Sequence, residues 1–175
     1  MNVLFSNGSP LFVVMAIGAV LSLLGISTGW AQQPQHISIE GTYKLVSREL
    51  EDGTIKKSPD VIGLYTYTKT YRNFSLVEKS DQGDMRSVSI ISTYNLTATQ
   101  YSETLLAIVI SEQTSGKEVI YDVSGKSGTS PVTVENEGIQ FKLPVDPLSV
   151  SLHIKGKTMT ATGSDFVDTW EKVQE

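Results

Sequence analysis

The chain has 175 residues, with 14 Lys and Arg, 19 Asp and Glu, and a formal net charge of −5, so it carries no basic surplus for binding nucleic acid. It contains no Cys, which excludes disulfides, thiol catalysis, thiolate metal sites and the lipid-modified cysteine of a bacterial lipoprotein. With only two His residues, a zinc site of the His/Cys type is excluded as well, and we expect neither a metal nor a cofactor.

The N-terminal segment has the features of an export signal. Its first 39 residues contain no charged side chain, and residues 11–26 form an almost unbroken apolar run. Gly29 and Ala31 have the small side chains that signal peptidase requires at positions −3 and −1. We therefore expect residues 1–31 to be a signal peptide and residues 32–38 to be a flexible tail. The protein would then be exported, to the periplasm or out of the cell.

The alternative for this segment is an uncleaved N-terminal membrane anchor, because no Lys or Arg precedes the apolar run. That run has 16 residues, whereas a membrane-spanning helix needs about 20 apolar residues. A cleaved signal is therefore favoured, with no stable membrane insertion after cleavage.

The rest of the chain has the pattern of short strands joined by tight turns. Segments rich in Val, Ile, Thr and Tyr alternate in polarity and stop at Gly, Pro, Asn or Asp, and no segment has helical periodicity. The predicted strands cover residues 41–50, 62–68, 73–79, 85–96, 101–110, 118–123, 139–143, 150–154, 158–162 and 166–173. Residues 51–60 and 124–131 are predicted loops. Residues 39–174 are thus predicted to be one all-β domain, an antiparallel up-and-down barrel of about 8–10 strands.

The two ends of this domain resemble those of lipocalin-like (calycin) barrels. Within residues 39–47 (IEGTYKLVS), Gly41 and Tyr43 match the Gly-x-Trp motif of the first strand, with Tyr in place of Trp. Residues 166–173 (FVDTWEKV) resemble the closing strand of bacterial exported lipocalin-like domains, and the segments STYNL and YSET resemble their middle strands. The resemblance implies a barrel fold but no single activity, since that bacterial group has no settled function.

The barrel interior is predicted to contain aromatic side chains that either line a pocket or simply fill the core. A barrel of about eight strands can hold one small ligand, and tyrosines would add hydroxyl groups to an otherwise apolar wall. We expect the protein to bind a small apolar or amphipathic molecule there, with an unknown oligomeric state. The candidate ligand-binding residues are Tyr65, Tyr67, Phe74, Tyr94, Tyr101, Glu103, Phe141 and Trp170.

Two further functions stay open. The first is an enzyme in which Tyr101, Glu103 and Asp168 are acid–base candidates, although no catalytic residue can be assigned. The second is a filled barrel that presents the loops 51–60 and 124–131 to a protein partner.

Charged side chains on strands usually face the solvent. We therefore expect an outward orientation for Glu103 and Asp168, and surface positions for Arg48, Arg72 and Arg86. The alternative is an inward orientation, in which the carboxylates are ligand-binding or acid–base candidates and the arginines supply counter-charges or bind a ligand carboxylate. His153, between Leu152 and Ile154, is expected to face outward as well, since alternation places it on the face opposite these apolar residues.

Overall fold

The structure, a computed structural model, describes residues 38–80, 82–113, 119–135 and 138–174. The predicted signal peptide lies outside these residues, as does the predicted tail up to residue 37. Within the described part of the chain, all regular elements are β-strands, as the alternating pattern predicts. No helical segment that could serve as a membrane span occurs among these residues. The strands are β1 (Gly41–Leu50), β2 (Ile55–Lys56), β3 (Val61–Tyr67), β4 (Tyr71–Lys79), β5 (Met85–Leu96), β6 (Gln100–Glu112), β7 (Ile120–Asp122), β8 (Ser127–Glu135), β9 (Gly138–Lys142), β10 (Ser151–Lys155), β11 (Thr158–Thr162) and β12 (Phe166–Lys172).

The sheet closes into a barrel of 10 antiparallel strands, which confirms the predicted fold class. Around the ring the order is β1-β3-β4-β5-β6-β8-β9-β10-β11-β12, and β12 pairs with β1 from Tyr43 opposite Lys172 to Leu50 opposite Phe166. The short strands β2 and β7 pair with β1 and β6 outside this ring. Because ring neighbours follow one another along the chain apart from these two short strands, the topology is up-and-down.

A β-bulge near the middle of β1 decides which side chains of this strand enter the barrel. Tyr43 and Leu45 point inward, and the register with β12 then shifts between Leu45 and Ser47. Because one extra residue reverses the alternation, Arg48 rather than Ser47 is the next buried residue. The bulge thereby places a guanidinium inside the barrel.

Gly41 and Tyr43 lie where the first and last strands of the barrel meet. The Lys172 Nζ lies 5.7 Å from the centroid of the Tyr43 ring, so the lysine stem crosses the start of β1. A Cβ on Gly41 would lie 2.4 Å from the Lys172 Cε, and the φ of Gly41 is +128°. The lysine stem could move aside, so it is the positive φ that explains why glycine occupies this position.

Three of the predicted segments differ from the structure. The whole of β8 was missed: residues 127–131 fall in the predicted loop 124–131 and residues 132–135 in no predicted strand, yet β8 pairs with β6 and β9. The predicted strand at 118–123 is reduced to β7, and the predicted loop 51–60 contains β2. In each case pairing with a neighbouring strand, rather than local composition, determines the strand boundaries.

One end of the barrel, called the mouth below, contains the β4–β5 turn and the β9–β10 loop (residues 143–150). At this end Lys79 pairs with Met85, and Arg86 pairs with Glu112. Strands β9, β10 and β11 are short, with five residues each. The 143–150 loop therefore takes the place of strand wall on that side of the mouth.

Candidate functional site

The predicted aromatic residues form one packed array inside the barrel. Tyr65 packs against Phe74, with ring centroids 4.5 Å apart, and against Trp170 at 4.9 Å, edge to face.

At the far end of the array Tyr101 stacks on Phe141, with ring centroids 4.4 Å apart. Tyr67 and Tyr94 connect the two parts, as Tyr67 contacts Tyr94 at 5.3 Å and Tyr94 contacts Tyr101 at 5.9 Å. The structure thus brings all seven predicted aromatic residues together, and ligand binding by them stays a prediction.

The eighth predicted residue, Glu103, belongs to a buried ion pair. Its Oε1 accepts hydrogen bonds from the Arg72 Nη1 at 2.7 Å and from the Ser92 hydroxyl at 2.6 Å. Both charged side chains are almost completely buried. The expectation that Glu103 and Arg72 face the solvent is therefore wrong. Each shares a strand face with buried apolar residues, and their mutual pairing makes burial of the two charges tolerable.

A second ion-pair cluster lies nearer the mouth and corrects the expectation for Asp168 and Arg48. The Arg48 Nε and Nη2 donate to both oxygens of Asp168 at 2.8 Å, which is the bidentate geometry. The Arg48 Nη1 donates to Glu78 at 2.7 Å, and the Lys56 Nζ lies 3.3 Å from the other oxygen of Glu78. The Arg48 guanidinium also lies 4.3 Å from the centroid of the Phe166 ring.

The three acid–base candidates therefore belong to two different clusters. Asp168 pairs with Arg48, whereas Tyr101 and Glu103 lie near Arg72.

Burial and pairing act in opposite directions on the charges of both clusters. Burial raises the pKa of Glu103, and the nearby Arg72 and Ser92 offset part of this increase. Burial raises the pKa of Asp168 in the same way, with Arg48 opposing it. For Arg48, burial disfavours the charge, but the contacts with its carboxylates outweigh this cost and raise its pKa. The pKa of Arg72 is raised as well, so both arginines are permanent cations inside the barrel, each paired with a buried carboxyl group.

A small cavity of about 30 Å³ lies inside the mouth. That volume holds about one or two water molecules. Of the predicted ligand-binding residues, Tyr65 and Phe74 line it. Asp168, an acid–base candidate from the sequence, lines it as well. The other wall residues were not predicted to bind a ligand; they are Arg48, Leu76, Arg86, Val88, Ile90, Ile110, Asp146, Pro147, Leu148, Val150, Ala161 and Phe166.

The 143–150 loop covers this cavity from the mouth. Leu143 and Val150, at its two ends, are buried and joined by a backbone hydrogen bond of 2.8 Å. Between them Asp146 turns inward, where its carboxylate lies 3.6 Å from the Arg72 Nη2 and accepts the N–H of Leu148 at 2.9 Å. An apolar loop sequence, LPVDPLSV, was the available signal, because solvent-exposed loops are rarely so rich in Leu and Val.

An open depression of about 550 Å³ lies at the rim of the mouth, and we call it the vestibule. Its charged residues include Lys56, Glu78, Asp84 and Glu112, together with Arg86, which also lines the cavity. Arg86 is half-exposed and lies 3.6 Å from Glu112, so the expectation of a surface position holds for this arginine. The mouth thus combines an apolar interior with a charged entrance.

The last side chain considered in the sequence analysis, His153, lies outside the mouth and the cavity. His153 is half-exposed on β10, as alternation predicts, with its Nε2 3.5 Å from the Glu135 carboxylate. Across the described ranges, no group of three or more His, Asp or Glu side chains could hold a metal ion.

No protein-family model, no curated protein and no solved structure matches the chain. The function must therefore be argued from the geometry of the barrel and its mouth.

The buried tyrosines make stability depend on alkaline pH. Burial raises the pKa of Tyr65, Tyr67 and Tyr101 above the ordinary 10.0, and it raises the pKa of Tyr94 to about 12. A group with a raised folded-state pKa keeps its contribution to stability below the unfolded pKa and loses it as the pH rises further. We expect the free energy of unfolding to fall steeply above pH 10, measured by urea denaturation at a series of pH values.

The matched variants for this experiment are Tyr67→Phe and Tyr101→Phe, which remove one buried hydroxyl each. Because lysines also lose their charge at high pH, the comparison with these variants isolates the tyrosine contribution. The free energy of unfolding of each variant should fall less steeply with rising pH than that of the wild type. An identical fall in all three proteins would contradict the burial of these hydroxyls.

Proposed function

We propose that this protein binds a small apolar or amphipathic molecule at the mouth of its barrel. The observation that carries the proposal is the cavity inside the mouth, whose walls are mostly aliphatic and aromatic. Small-molecule sites in proteins combine such apolar walls with a few placed polar groups, and they occur preferentially in barrel mouths. Here Arg48 and Asp168 supply polar groups at the wall, and Arg86 connects the cavity with the vestibule.

The present cavity is smaller than any organic ligand, so binding requires the 143–150 loop to move. This loop fills the mouth with Leu148 and Pro147, which line the cavity. The rest of the barrel is held by continuous strand pairing, whereas the loop has two backbone hydrogen bonds, from Leu143 to Val150 and from Ser149 to Asp146, and neither joins it to another strand. Opening the loop therefore breaks no strand pairing, so we expect it to be the part of the wall that moves.

The vestibule favours an amphipathic ligand over a purely apolar one. A molecule whose apolar part enters the cavity would leave its polar end among Lys56, Arg86 and Glu112. The net charge of −5 and the lack of a basic cluster make nucleic acid an unsuitable partner.

We further propose that the protein acts as an exported lipocalin-like carrier after removal of residues 1–31. The neutral apolar N-terminal segment with Gly29 and Ala31 supports export, and the Gly41 and Tyr43 motif supports the family. A free N-terminus at or near Gln32 in the exported protein, found by N-terminal sequencing, would support cleavage. Intact Met1 in a membrane fraction would contradict it.

A second candidate function is protein interaction by a filled barrel. The packed aromatic array leaves little space in the interior, and Ile120 and Tyr121 on β7 are 60% and 66% exposed. Exposed apolar side chains on a short strand are typical of a surface that contacts another protein. This candidate predicts a normal fold and no small-molecule binding.

Probe binding distinguishes the two candidates. In a Trp30→Phe variant, Trp170 is the one remaining tryptophan of the chain, so its emission reports on the barrel interior. We expect a panel of apolar probes and fatty acids to change this emission saturably, with dissociation constants in the micromolar range, about −8 kcal/mol.

Two variants at the cavity test where these probes bind. Leu148→Ala enlarges the space under the loop and should strengthen binding of the larger probes, whereas Ala161→Val reduces the space and should weaken it. Val167→Leu, on the outer face of β12, is the matched control and should leave binding unchanged. If no probe saturates with any of these proteins, the carrier function is wrong and protein interaction replaces it.

A further inference from the structure

The interior around Arg72 offers more hydrogen-bond donors than the protein itself uses. Tyr67, Arg72 and Ser92 lie directly opposite one another on β3, β4 and β5, and the Ser92 hydroxyl donates to Glu103 on β6. Among the described residues, the buried atoms there without a hydrogen-bond partner include the Arg72 Nε and Nη2 and the hydroxyls of Tyr67 and Tyr101. One acceptor atom, the Glu103 Oε2, is also buried without a hydrogen-bond partner. Because buried polar groups nearly always have partners, the surplus of donors indicates a place for an acceptor group.

Arg72 is the centre of this surplus. Its side chain is 1% exposed, and its guanidinium has five N–H groups, of which the Nη1 donates to Glu103. Burial raises the pKa of Tyr101, with the charge of Glu103 adding to the increase and both the charge and a side-chain contact of Arg72 opposing it, so this hydroxyl lies next to the guanidinium. The geometry therefore groups a fixed cation and two phenol hydroxyls at one point of the interior.

The protein's own loop already brings a carboxylate to this point. Asp146, at 5% side-chain exposure, lies 3.6 Å from the Arg72 Nη2, which is within the range of an ion pair but too long for a hydrogen bond. Asp146 also lines the cavity, beside Phe74 and Ile90. A carboxylate group thus has access to Arg72 from the cavity side when the 143–150 loop lies over the mouth.

We propose that the ligand is a small apolar carboxylate, whose carboxylate group replaces Asp146 at Arg72 when the loop opens. The Arg72 Nη2 would donate to one oxygen, the hydroxyls of Tyr67 and Tyr101 provide further donors, and the apolar part of the ligand occupies the cavity and the space left by the loop. This inference rests on the proposed function and specifies the chemical class of its ligand.

Charge counting favours a carboxylate over a phosphate. With Asp146 in place, the buried group consists of Arg72, Glu103 and Asp146. A monoanion that replaces Asp146 leaves this count unchanged, whereas a dianion adds a buried negative charge without a counterion. Because one cation already faces two carboxylates here, a further buried negative charge would be strongly unfavourable, and a monoanion is favoured over a dianion.

Octanoate and octanol are the probes that test this inference, because they share a chain and differ in the head group. Isothermal titration calorimetry of the full chain should show that octanoate binds at least about tenfold more tightly than octanol, the effect of a charge-assisted hydrogen bond. The variant Asp146→Ala removes the competing carboxylate and should strengthen octanoate binding by a similar factor. It should leave octanol binding nearly unchanged.

Two further variants control for indirect effects. Arg72→Met with Glu103→Leu replaces the whole ion pair by apolar side chains, which buried pairs generally tolerate, and it should abolish the preference for octanoate while octanol still binds. Asp60→Ala removes an exposed carboxylate from another loop at the mouth end and should change nothing. Equal affinity of the wild type for the two probes, with no effect of Asp146→Ala, would overturn the carboxylate assignment and leave the proposed function standing. If neither probe binds to the wild type or to any variant, both the carboxylate assignment and the proposed function are wrong.

Discussion

Replacing Trp170 by Ala should lower the free energy of unfolding by about 3–5 kcal/mol, the usual cost of deleting a large buried aromatic side chain. Trp170 is completely buried on β12 and packs edge to face on Tyr65. Its ring also approaches β3 so closely that a Cβ on Gly63 would lie 2.6 Å from the Trp170 Cη2. The truncation therefore leaves a cavity between strands that the barrel closure holds in place, and collapse can fill little of it. Urea denaturation followed by circular dichroism measures the loss, since the variant lacks the fluorescent side chain.

Tyr71→Ala is the matched control for this loss. Tyr71 is an aromatic residue on β4 with 47% exposure, so truncating it removes little buried area. We expect a change of less than about 1 kcal/mol, because exposed positions away from special contacts tolerate substitution. Equal losses in the two variants would contradict the interior position of Trp170 and with it the pairing of β12 with β1.

Most of the fold could be predicted from the sequence because strand alternation is a local property. The strand at 85–96 has the predicted bounds, and β1 does as well. All of β8 was missed from the sequence: its first half is small and polar, and pairing with β6 stabilises a strand there that the local composition does not favour. Non-local hydrogen bonding of this kind leaves no periodic signal in the segment itself.

The interior charges were partly visible in the same alternation. Phe74 and Leu76 share a face of β4, and extending that face by two residues reaches Arg72. The general preference of charged residues for solvent gave the wrong prediction for Arg72, because its ion pair with Glu103, two strands away on β6, offsets the cost of burial. Arg48 could not be predicted in this way, since the bulge after Leu45 changes the phase of β1.

The mouth was the least predictable part, because it depends on how a loop folds over a closed barrel. Asp146 and Leu148 occupy a segment without alternation, and their inward direction follows from the shortness of β9 and β10. The apolar character of the loop indicated burial, but its contact with Arg72 on β4 required the full barrel topology.

The second large effect should follow from breaking the ion pair nearer the mouth. Replacing Arg48 by Met leaves the Asp168 carboxylate, with 2% side-chain exposure, without the two hydrogen bonds that it accepts at 2.8 Å. Removing one partner of a buried pair generally costs about 3–5 kcal/mol, because the remaining charge has neither solvent nor counterion. Glu78 is less affected, since the Lys56 Nζ lies 3.3 Å from its second oxygen. We therefore expect a loss in this range at about pH 7, measured by urea denaturation.

Two matched variants identify the buried charge as the cause of this loss. Adding Asp168→Leu to Arg48→Met removes the charge and should restore most of the stability, as apolar replacements of buried pairs generally do. Arg86→Met breaks a half-exposed contact of 3.6 Å with Glu112 and should cost less than about 1 kcal/mol.

The pH dependence of the Arg48→Met variant provides an independent test. Burial already raises the pKa of Asp168, and loss of Arg48 removes the interaction that opposes this increase. A carboxyl group with a raised folded-state pKa contributes more stability as the pH falls below that pKa, because its proton is bound more tightly in the folded state. The deficit of Arg48→Met relative to the wild type should therefore shrink between about pH 7 and about pH 4. A deficit that stays constant over this range would mean that lost packing of the arginine stem on Phe166, rather than the uncompensated carboxylate, destabilises the variant.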